Sequence, residues 1–111
     1  MCGISGIFSN LQIDKENILR KMNHCQRHRG PDYNEFYSCN KVGLGHTRLS
    51  IIDLSSDGNQ PMFSNDKRYV LVFNGEIYNF KKLRKKIDYQ FISNSDSEVV
   101  LASFLKWGKD C

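Results

Sequence analysis

Hydrophobic positions fall in short runs separated by turn-forming residues, and their spacing predicts a mixed succession of strands and helices. Ile4, Ile7 and Phe8, set among glycines, predict a buried strand over Gly3–Ser9. Asn10–Asp14 reads as a turn, with Asp14 as N-cap of a helix over Lys15–His28 that buries Ile18, Leu19, Met22 and Cys25. Gly30 suits the exit of that helix and Pro31 forbids its continuation. Strands over Glu35–Cys39 and Val42–Leu49 flank an Asn40-Lys41 turn and predict a hairpin, and Ile51–Leu54 continues extended. Ser55–Pro61 is a loop, and Tyr69–Phe73 is a strongly apolar strand broken by Asn74-Gly75. A short helix over Phe80–Ile87 and a brief strand over Tyr89–Ile92 follow. Ser95 and Glu98 then form a capping box opening the Asp96–Trp107 helix, with Val99, Val100, Phe104 and Trp107 on its apolar face.

Strands and helices mixed with hairpins, without repeats, low-complexity tracts or an internal linker, give the α+β class. The 111 residues suit one small domain, and 40% hydrophobic with 25% charged residues is the balance of a soluble globular chain. No apolar run reaches the length of a membrane span, and no basic flank and long apolar region mark a secretory signal, so the expected location is the cytoplasm. The four cysteines form no CxxC pair and are expected as thiols in that compartment.

The formal net charge is +4, and Lys81-Lys82-Leu83-Arg84-Lys85-Lys86 carries much of the excess. Such a run could bind nucleic acid or an anionic membrane. Phe80, Leu83 and Ile87 punctuate it at helical spacing, which favours an amphipathic helix with a solvated basic face, and neither nucleic acid nor membrane is expected as a partner. His24 and His28, spaced i, i+4 beside Cys25, could hold zinc, but no second ligand pair is evident and no metal site is expected.

Candidate chemistry begins at the N-terminus. If Met1 is removed, Cys2 presents a thiol and a free α-amino group on one residue, a nucleophile with its own base. The thiol titrates near 8.5 and the amine at about 7.7–8.0 in unperturbed form, so part of the amine is free at neutral pH. The alternative is an ordinary strand that happens to start with cysteine. Asn74 beside Gly75, at a strand end, offers a carboxamide and a backbone amide to one point, as an oxyanion requires; a plain hairpin turn is the alternative. Arg48 at another strand end offers a fork for a carboxylate, or a surface ion pair. Asp96 at a helix start could receive an ammonium, or simply favour the helix dipole. Together these residues fit an α-amino acid carrying a side-chain amide.

Five motifs in order, Cys2-Gly3-Ile4-Ser5-Gly6, Arg27-His28-Arg29-Gly30-Pro31-Asp32, Gly45-His46-Thr47-Arg48-Leu49-Ser50-Ile51-Ile52-Asp53, Asn74-Gly75-Glu76-Ile77-Tyr78-Asn79 and Ser95-Asp96-Ser97-Glu98, span nearly the whole chain. They resemble the glutaminase domain of glutamine-hydrolysing asparagine synthetases, within the class II, N-terminal-nucleophile amidotransferases. Amidotransferases of cell-surface polysaccharide biosynthesis share them. The wider class typically has Arg-Trp where this chain has Arg48-Leu49.

The resemblance implies an N-terminal-nucleophile αββα sandwich, of which residues 1–111 would be an incomplete N-terminal portion. It implies Cys2 as nucleophile, its α-amino group as base, and Asn74 with the Gly75 amide as oxyanion donors. Arg48 would hold the glutamine carboxylate, Asp96 and Glu76 its ammonium, and Leu49, Ile51 and Ile52 would line the site. Ammonia would pass to an ATP-dependent synthetase domain, absent here, where ATP and magnesium serve amidation of aspartate; no cofactor is expected in this chain. The full-length protein would be a homodimer. An inactive fragment and a basic binding module are the rival readings.

Overall fold

A computed structural model describes all of residues 1–111. Its elements are β1 (Gly3–Phe8), α1 (Lys15–Cys25), β2 (Tyr33–Cys39), β3 (Val42–Arg48), β4 (Met62–Phe63), β5 (Val70–Leu71), α2 (Phe80–Arg84) and α3 (Asp96–Trp107), with short 3-10 turns at Ser56–Gly58 and Gly108–Asp110. The class is α+β, built on two antiparallel sheets ordered β1-β3-β2 and β4-β5.

The central strand β3 takes the N-terminal strand on one side, from Gly3↔Thr47 to Phe8↔Val42. Its hairpin partner lies on the other side, from Tyr33↔Arg48 to Cys39↔Val42. The hairpin turns at Asn40, whose φ of 48° is a left-handed conformation that asparagine tolerates. Side chains alternate across a strand, so one face of β3 carries Gly43, Gly45 and Thr47, and the other Leu44, His46 and Arg48. The first face lies against α1 so closely that a Cβ on Gly45 would land on the Asn23 side chain.

This closeness corrects two sequence expectations. In β1 the buried positions are the small ones, Gly3 and Ser5, while Ile4 and Phe8 are exposed. In α1 the buried residues are Leu19 and Asn23, while Ile18 and Cys25 are exposed. Asn23 is buried because its polar groups are matched: it accepts from the Ser5 hydroxyl and donates to Asn34 and to the Glu35 carbonyl. The helix also stops at Cys25 rather than His28. Arg27, Arg29 and Gly30 instead make tight three-residue bonds back to His24, Gln26 and Arg27.

Further along, β5 is shorter than the expected Tyr69–Phe73 strand, because its ladder with β4 has only two residue pairs. The Ile51–Leu54 segment is a bend, with Asp53 buried and Ile51 and Leu54 exposed. The expected Tyr89–Ile92 strand is absent. There the amides of Ile92 and Ser93 donate to the Glu98 carboxylate. Ser95 does cap α3 by accepting from the Glu98 amide, but Glu98 reaches Ile92 and Ser93 rather than the Ser95 amide, so only half of the capping box forms. The helix buries Val99, Leu101 and Ala102, while Phe104 and Trp107 are partly exposed. The amphipathic reading of the basic segment holds in its essentials: α2 is short, and Phe80, Leu83 and Ile87 pack on Val99 and Ala102. The two sheets meet through the edge-on Tyr37–Phe63 pair, and Tyr69 packs edge-on against Phe104 of α3.

No helix is long and apolar enough to cross a membrane.

Candidate active site

The end of the β1–β3 ladder fixes Cys2. Its carbonyl accepts from Arg29 Nε at 3.3 Å, and its sulfur accepts from the Leu49 amide at 3.4 Å with the Leu49 carbonyl at 3.7 Å. The loop after Arg48 is stapled by Asp32, whose amide donates to the Arg48 carbonyl at 3.0 Å and whose carboxylate accepts from the Ser50 amide at 2.7 Å. The Arg27–Asp32 motif therefore holds both the Cys2 backbone and the loop facing it.

Arg48 is buried and makes no ion pair with these neighbours: its three acceptors are the carbonyls of Ser55 (2.7 Å) and Asp53 and the Asn59 side-chain oxygen (2.7 Å). All are neutral oxygens, the Asp53 carboxylate senses the charge without taking a bond from it, and Nε–H takes no part in these bonds. An anionic group is the partner such a fork lacks.

Asp53 connects this loop to α3. Its carboxylate accepts from the Ser55 amide (2.8 Å) and hydroxyl (2.7 Å), and from the Asn94 amide at 2.6 Å. Those bonds, led by the Ser55 hydroxyl, hold its pKa below the ordinary carboxylate value. Asp96, two residues beyond Asn94, is buried and accepts from the Ile77 amide at 2.9 Å, tying the Asn74–Ile77 turn to the start of α3.

These segments enclose one cavity of about 300 Å³. Cys2, Arg48, Leu49, Ile51, Ile52, Asn74, Gly75, Glu76 and Asp96, drawn from four separate stretches of chain, all line it. Asn74, Gly75 and Glu76 are exposed residues of its wall, and Met1 lines it together with Cys2. It thus has a thiol, a cation with spare donor capacity, and three carboxylates, of Asp53, Glu76 and Asp96, the first already engaged by Ser55 and Asn94, which suits a small zwitterion.

Sequence reasoning missed several residues here. Gln60, Ser97 and Tyr78 also line the cavity. His46 is fully buried, with Nε2 3.3 Å from the carbonyl of Phe73, which lines the cavity. A carbonyl can only accept, so Nε2 carries the proton. Burial pushes the His46 pKa down to about 4, and the imidazole is neutral at ordinary pH. His46 and Asp53 lay within a quoted motif, yet nothing in spacing tells that a histidine reaches across to residue 73. His24, Cys25 and His28 are exposed and lie elsewhere, and no group of three or more His, Cys, Asp or Glu side chains gathers as a metal site would need.

Comparison with known proteins bears on the same residues. A family model described as a glutamine amidotransferase domain matches residues 1–111. Asparagine synthetase [glutamine-hydrolyzing] 1 of Bacillus subtilis is 40% identical over 111 residues, covering 94% of this chain and 17% of that protein. A putative asparagine synthetase [glutamine-hydrolyzing] 2 of Methanocaldococcus jannaschii is 40% identical over 130 residues, with 100% of this chain and 25% of that protein covered. Asparagine synthetase B of Escherichia coli is 39% identical over 115 residues, covering 99% of this chain and 20% of that protein. The chain thus spans about a quarter or less of the length of these relatives.

Proposed function

The chain belongs to the glutamine amidotransferase domain family, and from that premise we propose that it is a glutaminase acting through Cys2. The observation that supports this reading is the convergence of nine residues between positions 2 and 96 on one cavity with the Cys2 sulfur at its wall.

Removal of Met1 frees the Cys2 α-amino group. Glutamine binds with its α-carboxylate on Arg48 and its ammonium between Asp96 and Glu76, which carries the side-chain amide toward Cys2. The amine takes the thiol proton as sulfur attacks the amide carbon. The oxygen becomes an oxyanion that accepts from the Asn74 carboxamide and the Gly75 amide. The C–N bond then breaks, the amine returns its proton to the departing ammonia, and a thioester remains on Cys2. Water cleaves that thioester, releasing glutamate and the free thiol.

We further propose an N-terminal-nucleophile αββα sandwich, with α1 on one sheet, α2 and α3 on the other, and the Tyr37–Phe63 contact between the sheets. In a protein as long as the relatives, the ammonia would serve amidation of aspartate in a synthetase domain that binds ATP and magnesium. The whole protein would act in the cytoplasm as a homodimer.

The test is exposure to a glutamine-like electrophile, 6-diazo-5-oxo-L-norleucine, followed by peptide mass spectrometry. Labelling confined to Cys2, and lost in Cys2→Ser together with glutamate release, is the expected result. Labelling at the exposed Cys25, Cys39 or Cys111 instead, or glutamate release by Cys2→Ser, overturns the assignment.

A further inference from the structure

Phe73 directly precedes Asn74, yet its backbone belongs to no sheet, since β5 ends at Leu71. Its polar groups are satisfied by two buried side chains. The Phe73 amide donates to Gln60 Oε1 at 2.6 Å, and the Phe73 carbonyl accepts from His46 Nε2 at 3.3 Å. Gln60 is 4% exposed and His46 not at all. The other end of Gln60 is also used: Nε2 donates to the Ser97 hydroxyl at 3.1 Å, beside Asp96. Gly75 rests on the Phe73 ring, where a Cβ would come within 2.7 Å of Cζ. Backbone, ring and following turn are thus held together from β3, from the Gln60 loop and from the start of α3.

We propose that Gln60 and His46 are positioning residues that set the Asn74 carboxamide and Gly75 amide against Cys2. This rests on the glutaminase reading above. Gln60 and His46 do for the Phe73 backbone what a neighbouring strand would otherwise do, and Gln60 itself lines the cavity. Cutting one bond orphans a partly buried amide, which relaxes toward water and carries Asn74 with it. Displacement of about 1 Å at such a donor is enough to cost ~100-fold in rate.

The experiment is steady-state glutamate release from glutamine by the 111-residue chain with Met1 removed. Gln60→Leu should lower kcat ~30- to 100-fold while KM changes less than about threefold, because the donors act on the oxyanion and not on bound substrate. Gln60→Glu keeps an acceptor for the Phe73 amide and should recover kcat to within about fivefold of wild type. In an Asn74→Ala background Gln60→Leu should cost less than about threefold, since its effect runs through Asn74. An unchanged kcat in a folded Gln60→Leu chain, or an undiminished effect in the Asn74→Ala background, overturns the positioning role while leaving the glutaminase reading intact. A wild-type chain that releases no glutamate overturns both. Amide exchange of the wild-type chain reads the same clamp without a variant: slow exchange at Phe73, comparable to the β3 amides, supports it, and exchange at the open-chain rate overturns it.

Discussion

The Cys2 side of the cavity hangs on a backbone ladder, whereas the Asn74–Asp96 side hangs on side chains. Six residue pairs fix β1 on β3 up to the residue next to Cys2. The other side has a two-pair ladder that stops short of Phe73, and beyond it the chain is held by Gln60, His46, Asp53 and Asp96. Packing differs in the same sense. The ladder side is tight where side chains are missing, as at Gly30 and Gly45. The other side is tight where particular polar side chains are present. A ladder tolerates many sequences that keep its pattern, so it should be vulnerable to atoms added; a side-chain scaffold should be vulnerable to atoms removed.

The comparison breaks first, if it breaks, at Gly30. A Cβ there would land on the Thr47 carbonyl group and lie 2.6 Å from the Arg48 nitrogen, all main-chain atoms of the central strand. Gly30→Ala is expected to cost more than about 3 kcal/mol in denaturant unfolding, and a loss below about 1 kcal/mol would contradict the tight-ladder description.

Acid should act on the other side. His46 has its pKa depressed by burial from 6.5 to about 4, so between those values the unfolded chain binds a proton that the folded chain does not. Stability therefore rises with pH through this window. The contribution is complete above 6.5, and about 3 kcal/mol is lost as pH falls to 4. Asp53, also depressed, adds a further loss in the same direction at and below the ordinary carboxylate range. Chemical denaturation across pH 4 to 7 should show the slope, and His46→Gln should flatten it.

Smaller effects sharpen the contrast. Asp53→Ala removes the acceptor of three bonds and should cost about 2 kcal/mol, with Asp53→Asn recovering part of it because one acceptor oxygen remains. Gly58→Ala would press on Arg48 Nη2, the end of a side chain already held by three acceptors. It should raise the KM for glutamine about tenfold with stability changed by less than about 1 kcal/mol. Lys82→Ala, on the solvated face of α2, should change stability by less than about 0.5 kcal/mol.

The same contrast explains what was legible in the chain. The hairpin, the N-cap of α3 and the apolar stripe of α2 follow local rules that read directly from spacing. The resemblance supplied nine of the 17 residues lining the cavity, and residue pattern alone suggested five of those: Cys2, Arg48, Asn74, Gly75 and Asp96. What escaped was decided by partners far away. Ile4 and Phe8 looked buried because apolar residues usually are, but they pair with His46 and Val42, on the face of the sheet away from α1, and stay exposed. Asn23 is buried because Ser5, Asn34 and Glu35 complete its hydrogen bonds. Gln60 sits in a stretch of Ser, Asp, Gly, Asn and Pro, where a lone glutamine gives no sign that residues 73 and 97 will meet on it.

The pairing of Gly3 with Thr47 has a last consequence, for how the chain can change length. Cys2 stands where counting along β1 leaves it, one step past the final pair. A residue inserted between Cys2 and Phe8 would turn every following side chain to the opposite face, or push the thiol out past Leu49. Insertions in the Ser9–Asp14 stretch, beyond the far end of the ladder, leave that count untouched. Length is negotiable after Phe8 and fixed before it.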